Sequence, residues 1–79
     1  MADSSLPILR KGDSGSTVAL LQTFLRIKGF GTSTNPNLQL RVDGVFGDLT
    51  DSVVRQFQQS ASLKVDGIVG AKTWEAFVS

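Results

Sequence analysis

The 79 residues include eight lysines and arginines, seven aspartates and glutamates, and no cysteine or histidine, so the net charge is +1. A chain of this length forms one small domain, and it lacks the disulfides and common metal ligands that stabilise many such domains. The near-zero charge argues against nucleic acid or an acidic membrane surface as a partner, and no apolar run approaches the roughly 20 residues of a membrane span. We predict a tail at residues 1–8 and a domain at residues 9–79. No signal peptide is visible, because an acid comes early and the apolar patch is short.

The first predicted helix begins at Ser16, after the glycine- and serine-rich stretch "RKGDSGS". At roughly 100° per residue, its apolar side chains cover about half of the helix circumference. These side chains are Val18, Leu20, Leu21, Phe24, Leu25 and Ile27. The wide arc predicts a central helix that packs on more than one side. Gly29 and Gly31 end the helix, and "TSTNPNLQL", residues 32–40, reads as a loop.

Two similar segments follow, "VDGVFGDLT" from Val42 and "VDGIVGAKT" from Val65, and we interpret them as an internal repeat. The alternation in "LQLRVDGVF" would also fit a hairpin, but only two residues separate Gly44 from Gly47, so we expect at most a β-bridge there. A second helix follows the first copy and a short third helix, "AKTWEAFV", follows the second. The second helix has an apolar face of Leu49, Val53, Val54, Phe57 and Ala61 and a polar face of Asp51, Arg55, Gln58 and Gln59. In the third helix Trp74, Phe77 and Val78 lie on one side.

Each copy has the residues of a turn that leads into a helix. Gly44 and Gly67 follow an aspartate, as positions with positive φ require. Glycine supplies no side-chain acceptor at the helix start, so we expect Asp43 and Asp66 to accept from the first free N–H groups of each helix. Thr50 stands at the third helical position, where a hydroxyl can bond back toward the turn, as does Thr73 in the second copy. A structural role for each aspartate is therefore favoured over direct ligand contact.

Three stretches together resemble one known family. They are "LRKGDSGSTVALLQTFLRIKGF", "VDGVFGDLTDSVVRQFQ" and "LKVDGIVGAKTWEAF", which span residues 9–77. The pattern of these stretches resembles the peptidoglycan-binding domain of the PGBD-like (PG_binding_1) family. The matching positions are the glycines, the two Asp-Gly pairs, the threonines, Phe-Gln and Thr-Trp. Ser52-Val53 departs from the Ala-Val step usual in that family, and the 32–40 loop is longer than usual.

The resemblance implies an all-α, three-helix bundle that binds bacterial cell wall without cutting it. The implied partners are peptidoglycan, through its glycan or its stem peptide, and a tethered catalytic domain. The implied location is the cell wall, periplasm or extracellular space. We expect a monomer with no cofactor, no metal, no nucleic acid and no membrane insertion.

The resemblance also carries site residues onto this chain. The candidate ligand-binding residues are Asp43, Gly44, Phe46, Asp66, Gly67 and Trp74, together with Arg41, which is a candidate because it lies next to the first motif. The structural positions are Gly15, Leu21, Gln22, Gly47, Thr50, Phe57, Gln58, Gly70 and Thr73, with Gly12, Val18 and Val54 also matching. For Trp74 a core anchor is the favoured interpretation, with a ring beside a groove as the alternative. For Arg41 a solvated side chain is favoured over one that meets a stem carboxylate.

Other functions have weaker support in the sequence. Without histidine, cysteine or tyrosine the common catalytic bases and nucleophiles are missing, which leaves only an Asp43–Asp66 carboxylate pair for a glycosidase-like reaction. The acids Asp43, Asp48 and Asp51 lie close together in sequence without the spacing of an EF-hand. The serious competitor is a structural or protein-interaction module built on the same three helices.

Overall fold

The computed structural model describes residues 6–78 and contains three α-helices. They are α1 (Ser16–Ile27), α2 (Asp48–Ser60) and α3 (Ala71–Val78), and a short 3-10 helix at Pro36–Leu38 lies between α1 and α2. The predicted all-α, three-helix fold is confirmed. The 3-10 helix lies within the segment predicted to be a loop. Most of the predicted tail lies outside the described residues.

The end of α1 shows how local chemistry sets a helix boundary. Gly29 follows the helix with a φ of 88°, a left-handed value that glycine adopts at little cost. The N–H of Phe30 then bonds to the carbonyl of Leu25 at 2.9 Å, and the N–H of Gly29 bonds to the carbonyl of Arg26 at 3.0 Å. This pair of bonds is the Schellman motif, which satisfies carbonyls that the helix leaves unpaired.

The core forms where aromatic side chains from all three helices meet. The rings of Phe57 and Phe77 stack at 4.3 Å, and Phe24 stacks on Phe77 at 5.5 Å. Trp74 meets Phe24 edge-on at 6.3 Å, and Phe30 meets Phe57 in the same way at 5.4 Å. Such pairs each add roughly 0.5–1.5 kcal/mol beyond the area they bury. The aromatic contacts therefore tie α3, the shortest helix, to both of its neighbours.

Burial corrects parts of the predicted helix faces. Leu20 and Ile27 on α1 are exposed, and so is Val78 at the end of α3. Only part of the wide apolar arc of α1 is covered, because two neighbouring helices do not surround a third. Gln22 and Gln58 are both 1% exposed, so the polar face of α2 is buried at Gln58.

The segment before α1 contacts both Asp-Gly turns. Leu9 forms an isolated antiparallel bridge with Val69, and Ser14 forms one with Val45. The N–H of Gly15 also bonds to the carbonyl of Gly44 at 2.8 Å. The bridges at the two turns thus pair with this N-terminal segment and do not close a hairpin around Asp43-Gly44. None of the helices in residues 6–78 has the length and apolar character needed to cross a membrane.

Candidate functional site

Gln22, on α1, holds the first turn through both ends of its side-chain amide. Its Nε2 donates to Asp43 Oδ1 at 3.0 Å, to the Val45 carbonyl at 3.0 Å and to Thr50 Oγ1 at 3.1 Å. Its Oε1 accepts the backbone N–H groups of Asp43 at 3.0 Å and of Gly44 at 2.9 Å. A single buried side chain therefore fixes the turn and joins it to the first turn of α2.

Gln58, near the end of α2, makes the corresponding set of bonds to the second turn. Its Nε2 donates to Asp66 Oδ1 at 3.2 Å, to the Ile68 carbonyl at 2.9 Å and to Thr73 Oγ1 at 3.3 Å. Its Oε1 accepts the N–H groups of Asp66 at 3.2 Å and of Gly67 at 3.0 Å. The second turn is therefore joined to α3 as the first is joined to α2.

Each aspartate closes its own turn. Asp43 Oδ1 accepts from the N–H of Val45 at 3.0 Å, and Asp66 Oδ1 accepts from the N–H of Ile68 at 2.9 Å. Gly47, the N-cap of α2, has no side-chain capping bond. The hydrogen bonds do not show the expected cap of α2 by Asp43, because its bonded oxygen, Oδ1, accepts from the Val45 N–H and the Gln22 amide instead.

The same contacts lower the pKa of both carboxyl groups. In each turn the largest cause is the backbone N–H two residues after the aspartate, and the amide of the buried glutamine adds to it. The cation two residues before the aspartate contributes in the same direction, Arg41 beside Asp43 and Lys64 beside Asp66. The N–H and amide groups donate hydrogen bonds to the ionised carboxyl and the cation attracts it, so each aspartate stays ionised over a wider pH range than a free one.

A groove opens beside each turn. The first has a volume of about 360 Å³ and is partly walled by Pro36 and Asn37 of the 3-10 helix. The second has a volume of about 290 Å³. Lining positions of the first groove have counterparts 23 residues later in the second. These positions are Leu40, Arg41, Asp43, Val45, Gly47, Asp48, Leu49 and Thr50, matched by Leu63, Lys64, Asp66, Ile68, Gly70, Ala71, Lys72 and Thr73.

The structure divides the candidate ligand-binding residues by accessibility. Arg41 and Asp43 are exposed, and Gly44 and Asp66 are partly exposed. The other three are buried. Phe46 is 1% exposed, Trp74 is 5% exposed, and Gly67 is also buried. The Trp74 ring belongs to the hydrophobic core, and its indole N–H donates to the carbonyl of Pro7 at 2.9 Å.

Sequence reasoning overlooked several groups at these grooves. Lys64 and Lys72 line the second groove, and neither was a candidate. Exposed aliphatic side chains flank each Asp-Gly pair, namely Val42 and Val45 at the first turn and Val65 and Ile68 at the second. Aligning the two Val-Asp-Gly segments could have identified Lys64 and Val65, because they lie 23 residues after Arg41 and Val42.

The acids near the first turn take part in ion pairs. Lys11 pairs with Asp48, which raises the pKa of the lysine and lowers that of the aspartate through their hydrogen bond. Asp51 pairs with Arg55 at 3.2 Å, at the predicted i,i+4 spacing. Within residues 6–78, no three acidic side chains come together as a possible metal site.

Comparison with known proteins shows the family of this chain. The model of the PG_binding_1 family, described as "Putative peptidoglycan binding domain", matches residues 14–77. The chain belongs to this family. A spore cortex-lytic enzyme of Bacillus cereus is 41% identical over 71 residues, which are 90% of this chain and 25% of that enzyme. The chain therefore spans about a quarter of that relative's length.

Solved structures show the same domain. The SleB N-terminal domain superposes with a TM-score of 0.80 at 39% identity, and the match covers 96% of this chain and 94% of that one. A Burkholderia AP3 phage endolysin matches with a TM-score of 0.79 at 34% identity, over 92% of this chain and 25% of that one. The rest of the endolysin chain lies outside the match.

Proposed function

We propose that this chain is a monomeric, non-catalytic module that binds peptidoglycan at the grooves beside its two Asp-Gly turns. In a longer protein it would hold a tethered cell-wall hydrolase close to its substrate, outside the cytoplasm. Tethering raises the local concentration of an enzyme at a polymer without any new catalytic contact. The observation that carries the proposal is the placement of accessible polar and aliphatic groups around both rigid turns, in a chain of the peptidoglycan-binding family.

The first groove has groups that suit a wall polymer. Arg41 is an exposed cation that can meet a stem-peptide carboxylate with two parallel hydrogen bonds. The carboxylate of Asp43 has one oxygen held by the turn, and the other can accept from a peptide N–H or a sugar hydroxyl. Val42 and Val45 offer aliphatic surface for a sugar face or a methyl group. The accessible area is small, so we expect modest affinity.

A protein-interaction module is the second candidate. The observation in its favour is the apolar surface that α1 leaves uncovered, where Ile27 is 73% exposed and Leu20, two helical turns earlier, is 39% exposed. Residues seven apart lie on one face of a helix, so these two side chains share a surface. The two candidates therefore use different faces, and substitutions can separate them.

Sedimentation with purified sacculi tests the proposal. We expect the wild-type domain to pellet with sacculi, and soluble wall fragments to release it. Arg41→Gln should reduce the pelleted fraction by roughly threefold, the scale of an exposed ion pair. Lys28→Gln removes the same charge from the end of α1 and should leave pelleting unchanged, as should Ile27→Ser. A wild-type domain that stays in the supernatant would overturn the proposal. Loss of binding on Ile27→Ser alone would favour the protein-interaction module.

A further inference from the structure

We propose that the second groove is a separate subsite for a stem-peptide carboxylate, which the domain occupies while the first groove holds the same wall polymer. This inference rests on the proposed function and adds a ligand class and two residues, Lys64 and Lys72. The starting observation is that the second groove repeats the first position by position while its charges differ. Matching lining positions with different charges point to two sites that hold different groups of one polymer.

The charges that line the grooves favour an anion in the second. Two lysines, Lys64 and Lys72, line it against one carboxylate, Asp66. The first groove has one cation, Arg41, against two carboxylates, of which Asp48 is paired with Lys11 outside the groove lining. A carboxylate ligand is therefore attracted more strongly to the second groove than to the first, where the charge of Arg41 is opposed by the Asp43 carboxylate.

The second turn also offers the other groups that a peptide end needs. Asp66 Oδ1 is held by Gln58 and Ile68, and across residues 6–78 no hydrogen bond reaches its Oδ2. That oxygen can accept from a peptide N–H next to the bound carboxylate. Val65 and Ile68 are 45% and 37% exposed, so aliphatic surface lies beside the charges for a side-chain methyl. A short peptide with a free carboxylate matches this set of an acceptor, two cations and methyl surface.

α2 places the two grooves at a fixed spacing. Thr50, in its first turn, lines the first groove, and Gln58, near its end, lines the second. Eight residues of helix separate them, which is about 12 Å at 1.5 Å per residue. Gln58 and Gln22 fix both turns to the helices, so little conformational freedom is lost when both grooves fill. Once a repeating polymer binds one groove, binding at the other is intramolecular and the affinities combine.

Matched lysine variants test the subsite. Lys64→Gln, Lys72→Gln and Lys28→Gln each remove one positive charge from an exposed position, and only the first two change the groove. We expect binding to sacculi to weaken by roughly threefold for each groove variant and not for Lys28→Gln. The double variant Lys64→Gln/Lys72→Gln should bind about tenfold or more weakly, since the second contact is lost. Circular dichroism should show all four variants folded, because none of these side chains is in the core.

A second experiment tests whether the stem carboxylate is the group that the second groove binds. Soluble muropeptides with free stem carboxylates should shift the backbone amides from Gly67 to Thr73, and the same muropeptides with amidated carboxyls should not. Two results would overturn the subsite: equal shifts with both muropeptides, or groove variants that bind sacculi as well as Lys28→Gln does. Neither result affects the proposed function as long as the wild-type domain binds sacculi. A wild-type domain that does not bind sacculi would instead remove the proposed function itself.

Discussion

The turn at Asp43-Gly44 and the turn at Asp66-Gly67 have matching bonds to a buried glutamine but are closed by connections of very different length. Gln22 and Asp43 are 21 residues apart, whereas Gln58 and Asp66 are 8 apart. By the logarithmic cost of loop closure, the longer connection costs about 0.9 kcal/mol more. The turn geometry is thus set by the glutamine and the Val-Asp-Gly sequence, and the extra residues of the first connection are free to build a groove wall.

The two turns also differ in what covers the glycine. A Cβ on Gly44 would lie 3.1 Å from the backbone oxygen of Gly15. A Cβ on Gly67 would lie 2.5 Å from the Asp51 carboxylate and 2.9 Å from the Arg55 guanidinium. Backbone atoms of Gly15 lie against Gly44, whereas the side chains of the Asp51–Arg55 ion pair lie against Gly67. Side-chain substitutions can therefore make space at Gly67 but not at Gly44.

The largest expected effect comes from replacing either glutamine. Gln22→Leu and Gln58→Leu should each lower the free energy of unfolding by about 3 kcal/mol, because two backbone donors and a carboxylate lose a buried partner. Chemical denaturation measures the change, and Gln56→Leu on the exposed side of α2 serves as the control. A loss below about 1 kcal/mol at either position would mean that the glutamine does not hold its turn.

The next largest effect comes from the two turn glycines and tests which atoms lie against each of them. Gly44→Ala and Gly67→Ala should each cost about 2 kcal/mol, since both positions have φ near 75° where a side chain is strained. In an Asp51→Ala background the cost of Gly67→Ala should fall, because one of the clashing groups is gone, while the cost of Gly44→Ala should stay the same. If Asp51→Ala changed the cost of both glycine substitutions by the same amount, the Asp51 side chain would not be the group that lies against Gly67 alone.

The aspartates should give a smaller effect that depends on pH. Their pKa values are lowered in the folded state, so their contribution to stability is present at neutral pH and is lost as pH falls below about 4, the ordinary value. Asp43→Ala and Asp66→Ala should lower the melting temperature at pH 7, and the corresponding Asn variants less so, because an amide oxygen can still accept from the turn. Thermal melts from pH 7 to pH 2.5 measure this. If the melting temperature fell by the same amount on acidification in the variants and in the wild type, the two carboxylates would be excluded as the cause of that fall.

The smallest effect comes from the residue that ends each of the helices α1 and α2. α1 ends with Gly29, but α2 ends in the same motif with Ser62 at a φ of 60°, and the N–H of Leu63 bonds to the carbonyl of Gln58 at 2.8 Å. Ser62→Gly should therefore stabilise the domain by about 0.5–1 kcal/mol, and Gly29→Ser should destabilise it by a similar amount. Denaturation midpoints measure both. A destabilising Ser62→Gly would show that the serine side chain is needed at this position.

Much of the fold could be predicted from the sequence because hydrophobic periodicity and glycine positions act locally. α3 began and ended where its pattern indicated, and α1 began at the predicted Ser16. The burial of Gln22 and Gln58 was harder to predict, since a polar side chain enters a core only when a specific partner surface satisfies it. Leu20 and Ile27 gave the opposite error, because an apolar side chain stays exposed where no neighbouring element reaches it.

The candidate site was predicted as a region better than as a list of contacts. The repeated Val-Asp-Gly sequence located both turns, but burial removes Phe46 and Trp74 from the accessible surface. Lys72 was overlooked because its counterpart in the first copy is Leu49, so comparing the copies by residue type gives no signal there. Its position depends on how α3 packs beside the turn, which is a tertiary property.

The most direct measurement is a titration of labelled domain with defined muropeptides, followed through the backbone amide resonances. If the two turns and the helix starts beside them form the binding surface, the shifts will concentrate at Gly44–Thr50 and Gly67–Trp74 and spare the outer face of α1. Shifts centred on Leu20 and Ile27, with both turns unchanged, would contradict the account.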